Sequence, residues 1–238
     1  MEKTKNAIEV CSGGVDSSVT AYYVKKKLNY KRVIVLFFNY SQKSLEQERV
    51  ASKRIAKELG IEFKEIRLEE LGKISDSLIN KSGKIKKIKK KDLKNTEKES
   101  KKFYVPCRNS VFLIYALSLA ESLFIKSKKR ERYDIFVGFK NEGKESYPDT
   151  TNRFVREMNK LSRISSEGKF EIKAPLIKMD KEDIILLGKR VGIDLSKTFS
   201  CYAPIKGKQC GFCLACQLRK AGFYWAGLKD ESEYFKKS

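Results

Sequence analysis

The chain contains no histidine. That removes the side chain that most often moves protons near neutral pH, and the nitrogen ligand of most mixed metal sites. Any proton transfer here has to use other side chains or the reactants themselves. No stretch of about 18 apolar residues free of charge occurs, so a membrane-spanning helix is not expected. The opening MEKTKNAIEV shows neither the apolar stretch nor the small-residue cleavage site of a secretory signal, and a cytoplasmic protein is expected. Two nucleotide-binding signatures are missing as well: there is no GxGxxG, and no GxxxxGK followed by Ser or Thr.

What is present is a chain of 238 residues, 41% hydrophobic, long enough for one sizeable core. Its 52 Lys and Arg against 30 Asp and Glu leave a charge of +22, which attracts polyanions. The excess is uneven, with eleven lysines against three acids between Lys81 and Lys102. This segment reads as a solvated surface insertion, with a nucleic-acid contact as the alternative.

Hydrophobic periodicity predicts alternating strands and helices: a strand at AIEVC (7–11), a helix over 15–27, a strand at 32–40, and a helix over 44–59 stopped by Gly60. After these come a strand beginning at 63–71, an apolar helix over 109–125, strands at 133–139 and 170–177, and a helix from Lys181. That order predicts a doubly wound α/β fold with a parallel sheet. Ligands of such sheets lie beyond the carboxyl ends of the strands, here Cys11, Asn39, Phe139 and the surroundings of Pro175.

Ser12-Gly13-Gly14-Val15-Asp16-Ser17-Ser18 falls between the first strand and the first helix. Glycines let backbone approach a ligand closely, and the unpaired amides of a helix's first turn point at an anion. The serine hydroxyls add donors. Asp16 is unsuited to touching phosphate and is expected to orient the loop or hold a magnesium ion that bridges phosphate oxygens. A phosphate loop is the reading, with an ordinary glycine turn as the alternative.

Four of the six cysteines, Cys201, Cys210, Cys213 and Cys216, follow the spacing C-x8-C-x2-C-x2-C. Two adjacent x2 gaps and a returning loop suit a tetrahedral four-sulfur site, best matched to zinc in a structural role, with an iron–sulfur cluster as the alternative. Of the other two, Cys11 is expected to pack as a small apolar residue and Cys107 to lie near the cleft.

The loop SGGVDS resembles the pyrophosphate-binding loop of the ATP pyrophosphatase superfamily. Taken with FFNYSQ and ExxA from Glu48, LGK at 71–73, VPCRN at 105–109, VGFKNEGKESYPDT at 137–150, APLIKMDKEDI at 174–184 and the cysteine tail, the chain resembles the 7-cyano-7-deazaguanine synthase family over nearly its whole length. The resemblance implies a domain over 1–200 with a basic insertion near 81–102, and a zinc-binding region over 201–238 packed on it. It also implies a two-stage reaction of ATP, ammonia and 7-carboxy-7-deazaguanine: a carboxylate is adenylated and aminated, and the amide is adenylated and dehydrated to a nitrile. On this reading Ser12 through Ser18 bind the pyrophosphate, with magnesium accompanying ATP. Asp16, Arg108 and Lys181 are the expected catalytic residues, Lys178 competing with Lys181. Arg108, Tyr147 and Asp149 are expected to hold the substrate, Arg108 by its carboxylate or the α-phosphate, Tyr147 by stacking and Asp149 by the guanine-like edge. A turn-forming aspartate is the alternative for Asp149. A homodimer is expected, and direct tRNA contact is compatible with the reaction but not required by it. Two stretches depart from the family's usual pattern: YSQKS keeps Gln42 but has Ser44 in place of a histidine, and GKES precedes Tyr147. Rival readings are a tRNA-modifying ATP pyrophosphatase, an adenylating enzyme with another acceptor, and a non-enzymatic zinc protein that binds RNA.

Overall fold

A computed structural model describes residues 5–140 and 147–236. Five strands, β1 (Asn6–Val10), β2 (Arg32–Asn39), β3 (Glu62–Arg67), β4 (Tyr133–Val137) and β5 (Ile172–Lys173), form one sheet in the order β3-β2-β1-β4-β5. Every pairing is parallel. The strand order reverses between β1 and β4, which makes the crevice above those two strands the natural ligand position. Covered on both sides, β2 is buried from Val33 to Asn39, as a continuous apolar run demands.

The helices α1 (Val15–Tyr22), α2 (Leu45–Leu59) and α7 (Lys181–Val191) cover one face, where Val15, Val19, Ile55, Leu59, Ile184 and Ile185 meet in one buried cluster. On the other face α5 (Arg108–Lys126) and α6 (Asn152–Ser165) pack Phe112, Leu113, Ala116, Val155 and Met158 against Ile8, Leu36 and Ile135. α5 is the single helix among the described residues long and apolar enough to cross a membrane, yet much of its apolar side is spent on the sheet. The first helix widens at its end into a π-helical turn, Tyr23–Lys27, and α2 stops at Gly60, whose φ of 61° only glycine adopts without cost.

Several elements differ from the sequence-based expectation, each for a local reason. The third strand ends at Arg67. Beyond it Glu69 and Glu70 open a short helix, α3 (Glu69–Lys73), their charges suiting its first turn. The fifth strand is two residues long, and the Asn159 side chain caps its outer edge, donating to the Ile172 carbonyl and accepting from its amide (both 2.9 Å). The basic segment is not simply a solvated loop. Ile88 is buried and donates its amide to Phe212, and the segment forms a 3-10 turn (Lys90–Lys94) and a helix, α4 (Glu97–Lys101). Its isoleucines anchor it while its lysines stay in water. Two helices went unanticipated, α6, capped by the Thr151 hydroxyl accepting from Phe154, and α8 (Leu214–Trp225).

α8 carries Arg219, which is buried and paired with Asp230 at 2.9 Å. Its other donors reach the Leu195 carbonyl, Thr198, Ser200 and Ser232. One guanidinium thereby holds the end of the chain to the segment before the cysteines, as a rigid five-donor fork can.

Glu9, in the middle strand, is fully buried, and neither carboxylate oxygen has a hydrogen-bond partner among the described residues. Burial pushes its carboxyl well above the ordinary carboxylate range, beside a Cys11 thiol that burial also pushes up. A folded-state pKa above the unfolded one means that the folded chain holds the extra proton, so stability is fully present below the unfolded pKa and falls as pH rises towards the folded pKa. Glu9→Leu removes this penalty. At neutral pH it should stabilise the protein by about 1–3 kcal/mol, the cost of an unsatisfied buried polar group, with a gain that shrinks on acidification. Urea denaturation at several pH values measures it, and a destabilised variant at neutral pH would count against a neutral Glu9.

Candidate active site

The crevice above β1 and β4 opens into a cleft of about 430 Å³ lined by the loop after β1, the exits of β2 and β4, and the start of α5. Of the expected strand ends, Cys11 and Phe139 line it and Asn39 does not. The loop is pressed from two sides. Gly13 has φ 74°, and a Cβ there would lie 2.8 Å from the Glu48 carbonyl and 2.6 Å from Ala51. A Cβ on Gly138 would lie 2.7 Å from the Ser17 amide. Both positions therefore need glycine, one for conformation and contact, the other for contact alone. Ser17 Oγ accepts from the Ser12 amide and lies 3.3 Å from Ser12 Oγ, so the two hydroxyls are held together at the first turn of α1.

Lys181, the first residue of α7, places Nζ 2.7 Å from both oxygens of Asp16. Residues 165 positions apart in sequence thus meet at the mouth of the loop, and both face the cleft. Lys178, the competing lysine, is not among the residues lining it.

Arg108 opens α5 from the opposite wall. Its guanidinium donates to the Tyr40 hydroxyl (3.2 Å) and lies over the Tyr40 and Phe112 rings at 5.6 and 5.9 Å, while Nε is buried without a partner. A buried arginine donor left open is one that a ligand oxygen can satisfy. Tyr147 lines the cleft, stacked on Tyr104 with ring centroids 5.4 Å apart, its hydroxyl donating to the Ser100 carbonyl. Asp149 is placed differently. It is buried, does not line the cleft, and its carboxylate accepts the Asn109 amide at 3.0 Å while its carbonyl accepts from the Asn109 side chain. It fixes the start of α5 immediately beside Arg108. The GKES stretch lies outside the described residues.

Residues without an assigned role in the sequence reading complete the walls. Gln42 and Ser44 are buried below the cleft and both donate to Glu48, at 3.0 and 2.6 Å. Burial pushes the Glu48 carboxyl above its ordinary range, with these hydrogen bonds and the nearby Arg108 pulling it part of the way back. Thr96 and Ser100 arrive from the basic insertion, and Tyr202 from the cysteine region. The ExxA pattern pointed at Glu48 without a role, and no local signal in a lysine-rich run marks Thr96 or Ser100.

Cys201, Cys210, Cys213 and Cys216 are all buried, with their sulfurs within 4.8 Å of one another. Two sulfur pairs stand 3.9 Å apart, close to the edge of about 3.8 Å that a tetrahedron with metal–sulfur bonds of about 2.3 Å requires. Backbone amides of Ala203 and Cys210 point at Cys201 Sγ, and those of Phe212 and Cys213 at Cys210 Sγ, which favours thiolates. The four residues can hold a metal ion. Cys11 is buried and Cys107 exposed, with φ 54° at the residue before α5.

A doubly wound α/β sheet with a glycine-bearing strand-to-helix loop facing a polar cleft, and a four-cysteine centre packed beside it, defines a phosphate-binding α/β protein. The family model described as queuosine biosynthesis protein QueC matches residues 6–227, and the chain belongs to that family. The 7-cyano-7-deazaguanine synthase of Leptospira biflexa serovar Patoc is 36% identical over 239 residues, covering 95% of this chain and 93% of its own. That of Methanobrevibacter smithii is 36% identical over 235 residues, covering 97% and 98%. A solved structure of the U34-tRNA thiolase NcsA from Methanococcus maripaludis overlays loosely, with a TM-score of 0.43 and 14% identity over 93% of this chain and 66% of that one.

Replacing Cys213 by Ser removes a ligand from the interior of the cluster, and the variant is expected to lose bound metal and solubility. Metal analysis and thermal melting of purified protein check this; a metal-free variant as stable as the parent would contradict a structural centre.

Proposed function

We propose that this chain makes 7-cyano-7-deazaguanine from 7-carboxy-7-deazaguanine, ammonia and ATP. Family membership supports this choice of substrate, and the observation that carries the chemistry is that the glycine loop and Arg108 face each other across one cleft. Adenylation needs an ATP α-phosphorus and a carboxylate brought together, with donors for the charge that develops on the leaving pyrophosphate.

The loop amides and the hydroxyls of Ser12 and Ser17 bind the pyrophosphate portion, and Gly13, Gly14 and Val15 let it approach; Ser18, expected to join them, is fully buried and does not line the cleft. Lys181, held over the loop by Asp16, offers its ammonium to the phosphates. Arg108 donates to the substrate carboxylate, using the Nε that has no protein partner. Tyr147 offers a ring face to the planar base, and Asp149 acts through Asn109 by setting the position of α5. The carboxylate oxygen attacks the α-phosphorus and pyrophosphate leaves. Ammonia displaces AMP to give the amide, whose oxygen is adenylated by a second ATP; loss of that AMP and of a proton gives the nitrile. Magnesium arrives with ATP and neutralises phosphate charge, with Asp16 the carboxylate beside the loop. Zinc fits the four thiolates and leaves no open coordination position, so its part is to hold the C-terminal region. The reduced thiols suit the cytoplasm.

A time course with purified protein, ATP, magnesium, ammonium and 7-carboxy-7-deazaguanine, followed by mass spectrometry, is expected to show the amide rising and falling and two AMP formed per nitrile. No AMP dependent on the acid would refute the reading. Asp16→Asn is expected to lower AMP formation by about 100-fold or more, the scale of losing one electrostatic contributor, with unchanged circular dichroism; a full rate would remove Asp16 from the mechanism.

A further inference from the structure

Amide formation consumes ammonia, which near neutral pH is held mostly as ammonium, an ion with no lone pair to attack with. For bound ammonium to react, its proton needs an acceptor in the site, and the chain has no histidine to take it. Among the described residues the acidic side chains facing the cleft are Asp16 and Glu48. Asp16 is committed through both oxygens to Lys181. Glu48 is held by neutral donors, Ser44 Oγ on Oε1 and Gln42 Nε2 on Oε2, so its charge is not cancelled and each oxygen keeps a lone pair. No ion pair neutralises it among the described residues.

Its surroundings suit a small cation. Glu48 sits in the first turn of α2, and its backbone carbonyl lies against Gly13 of the phosphate loop. The groups facing it from other elements are Arg108 of α5, whose Nη1 is taken by the Tyr40 hydroxyl, and Tyr40 itself, whose own ionisation burial pushes up to about 12. In a chain of charge +22, a carboxylate without a lysine partner in a cleft is the place where an ammonium ion gains most.

We propose that Glu48 is the catalytic carboxylate that binds the incoming ammonium and takes its proton, with Ser44 and Gln42 as positioning residues that hold its two oxygens. The inference rests on the adenylation reading above and deepens it. One N–H bond of ammonium breaks and its proton goes to Glu48. The freed pair forms the C–N bond at the acyl carbon, the bond from that carbon to the adenylate oxygen breaks with its electron pair leaving on AMP, and a second proton is lost to give the neutral amide. Burial raises the basicity of Glu48 towards that of the acid it must deprotonate.

The test separates adenylation from amination in the full-length, metal-loaded enzyme carrying Glu48→Gln. Three rates are compared with the parent: acid-dependent exchange of pyrophosphate into ATP without ammonia, capture of the adenylate by hydroxylamine, which is a neutral nucleophile at pH 7, and amide formation from ammonium. Exchange and capture are expected to stay within about threefold, while kcat/KM for ammonium falls ~100-fold or more, as for loss of a general base. The deficit should shrink as pH rises and free ammonia becomes abundant. Equal loss of capture and amide formation, or an unchanged ammonium rate, would overturn the proposal. Where Glu48→Gln loses exchange as well, Ser44→Ala decides: a smaller split in the same direction supports the role and no split overturns it. Absence of exchange in the parent enzyme is a separate result, which would remove the adenylation reading and this proposal together.

Discussion

An ammonium and a carboxylate in contact, on residues at opposite ends of the chain, join the last α/β unit to the first loop. The Lys181–Asp16 pair is partly buried, so much of its attraction is spent on desolvation, and its value lies in position more than in stability. Around it the packing is tight. Gly138 lets β4 pass against Ser17, and Gly222 of α8 leaves room for the Lys181 stem, whose Cγ would lie 2.3 Å from a Cβ there. α8 begins at Leu214, directly after Cys213, so the four-cysteine centre, α8, Lys181 and Asp16 form one contiguous packed series ending at the phosphate loop.

That series gives the C-terminal region a part in the site without touching the reaction. A metal bound by four thiolates is closed to substrate. The four-cysteine centre adjoins the cleft through α8 and through Tyr202, which follows Cys201 and lines the cavity while its ring lies 4.6 Å from Phe103. Arg219 performs the same service from the other side of the helix by fixing the tail with Asp230 and Ser232. The Asp230 carboxyl, although burial opposes its charge, is held below its ordinary range by Arg219 and by hydrogen bonds from Tyr234 and Ser232.

Legibility in the sequence followed how local each cause is. The glycine loop, the apolar run of β2, the stop at Gly60 and the cysteine spacing each depend on neighbours a few residues away, and all four stand in the structure where periodicity and spacing put them. The parallel sheet followed from their alternation. The short fifth strand did not, nor did its cap, because the partner of the Ile172 backbone is the side chain of Asn159, thirteen residues upstream. Nor did the fold of the insertion, where composition announced lysine and two isoleucines decided the packing. In the site, loop and lysine were readable as types, whereas their pairing across 165 positions is a tertiary fact. Asp149 was read as a group for the guanine-like edge or as a turn former, and its service to the Asn109 amide depends on where a 3-10 turn meets α5. Glu48 gained a role only once Ser44, Gln42 and Arg108 surrounded it.

The central claim is that a carboxylate oxygen of the substrate attacks the α-phosphorus of ATP in this cleft. The most direct measurement places heavy oxygen in the carboxylate of 7-carboxy-7-deazaguanine and locates the label among products. The account predicts it in the phosphate of AMP, with none in pyrophosphate and none left in the nitrile. Label appearing in inorganic phosphate, or AMP formed without label, would contradict it.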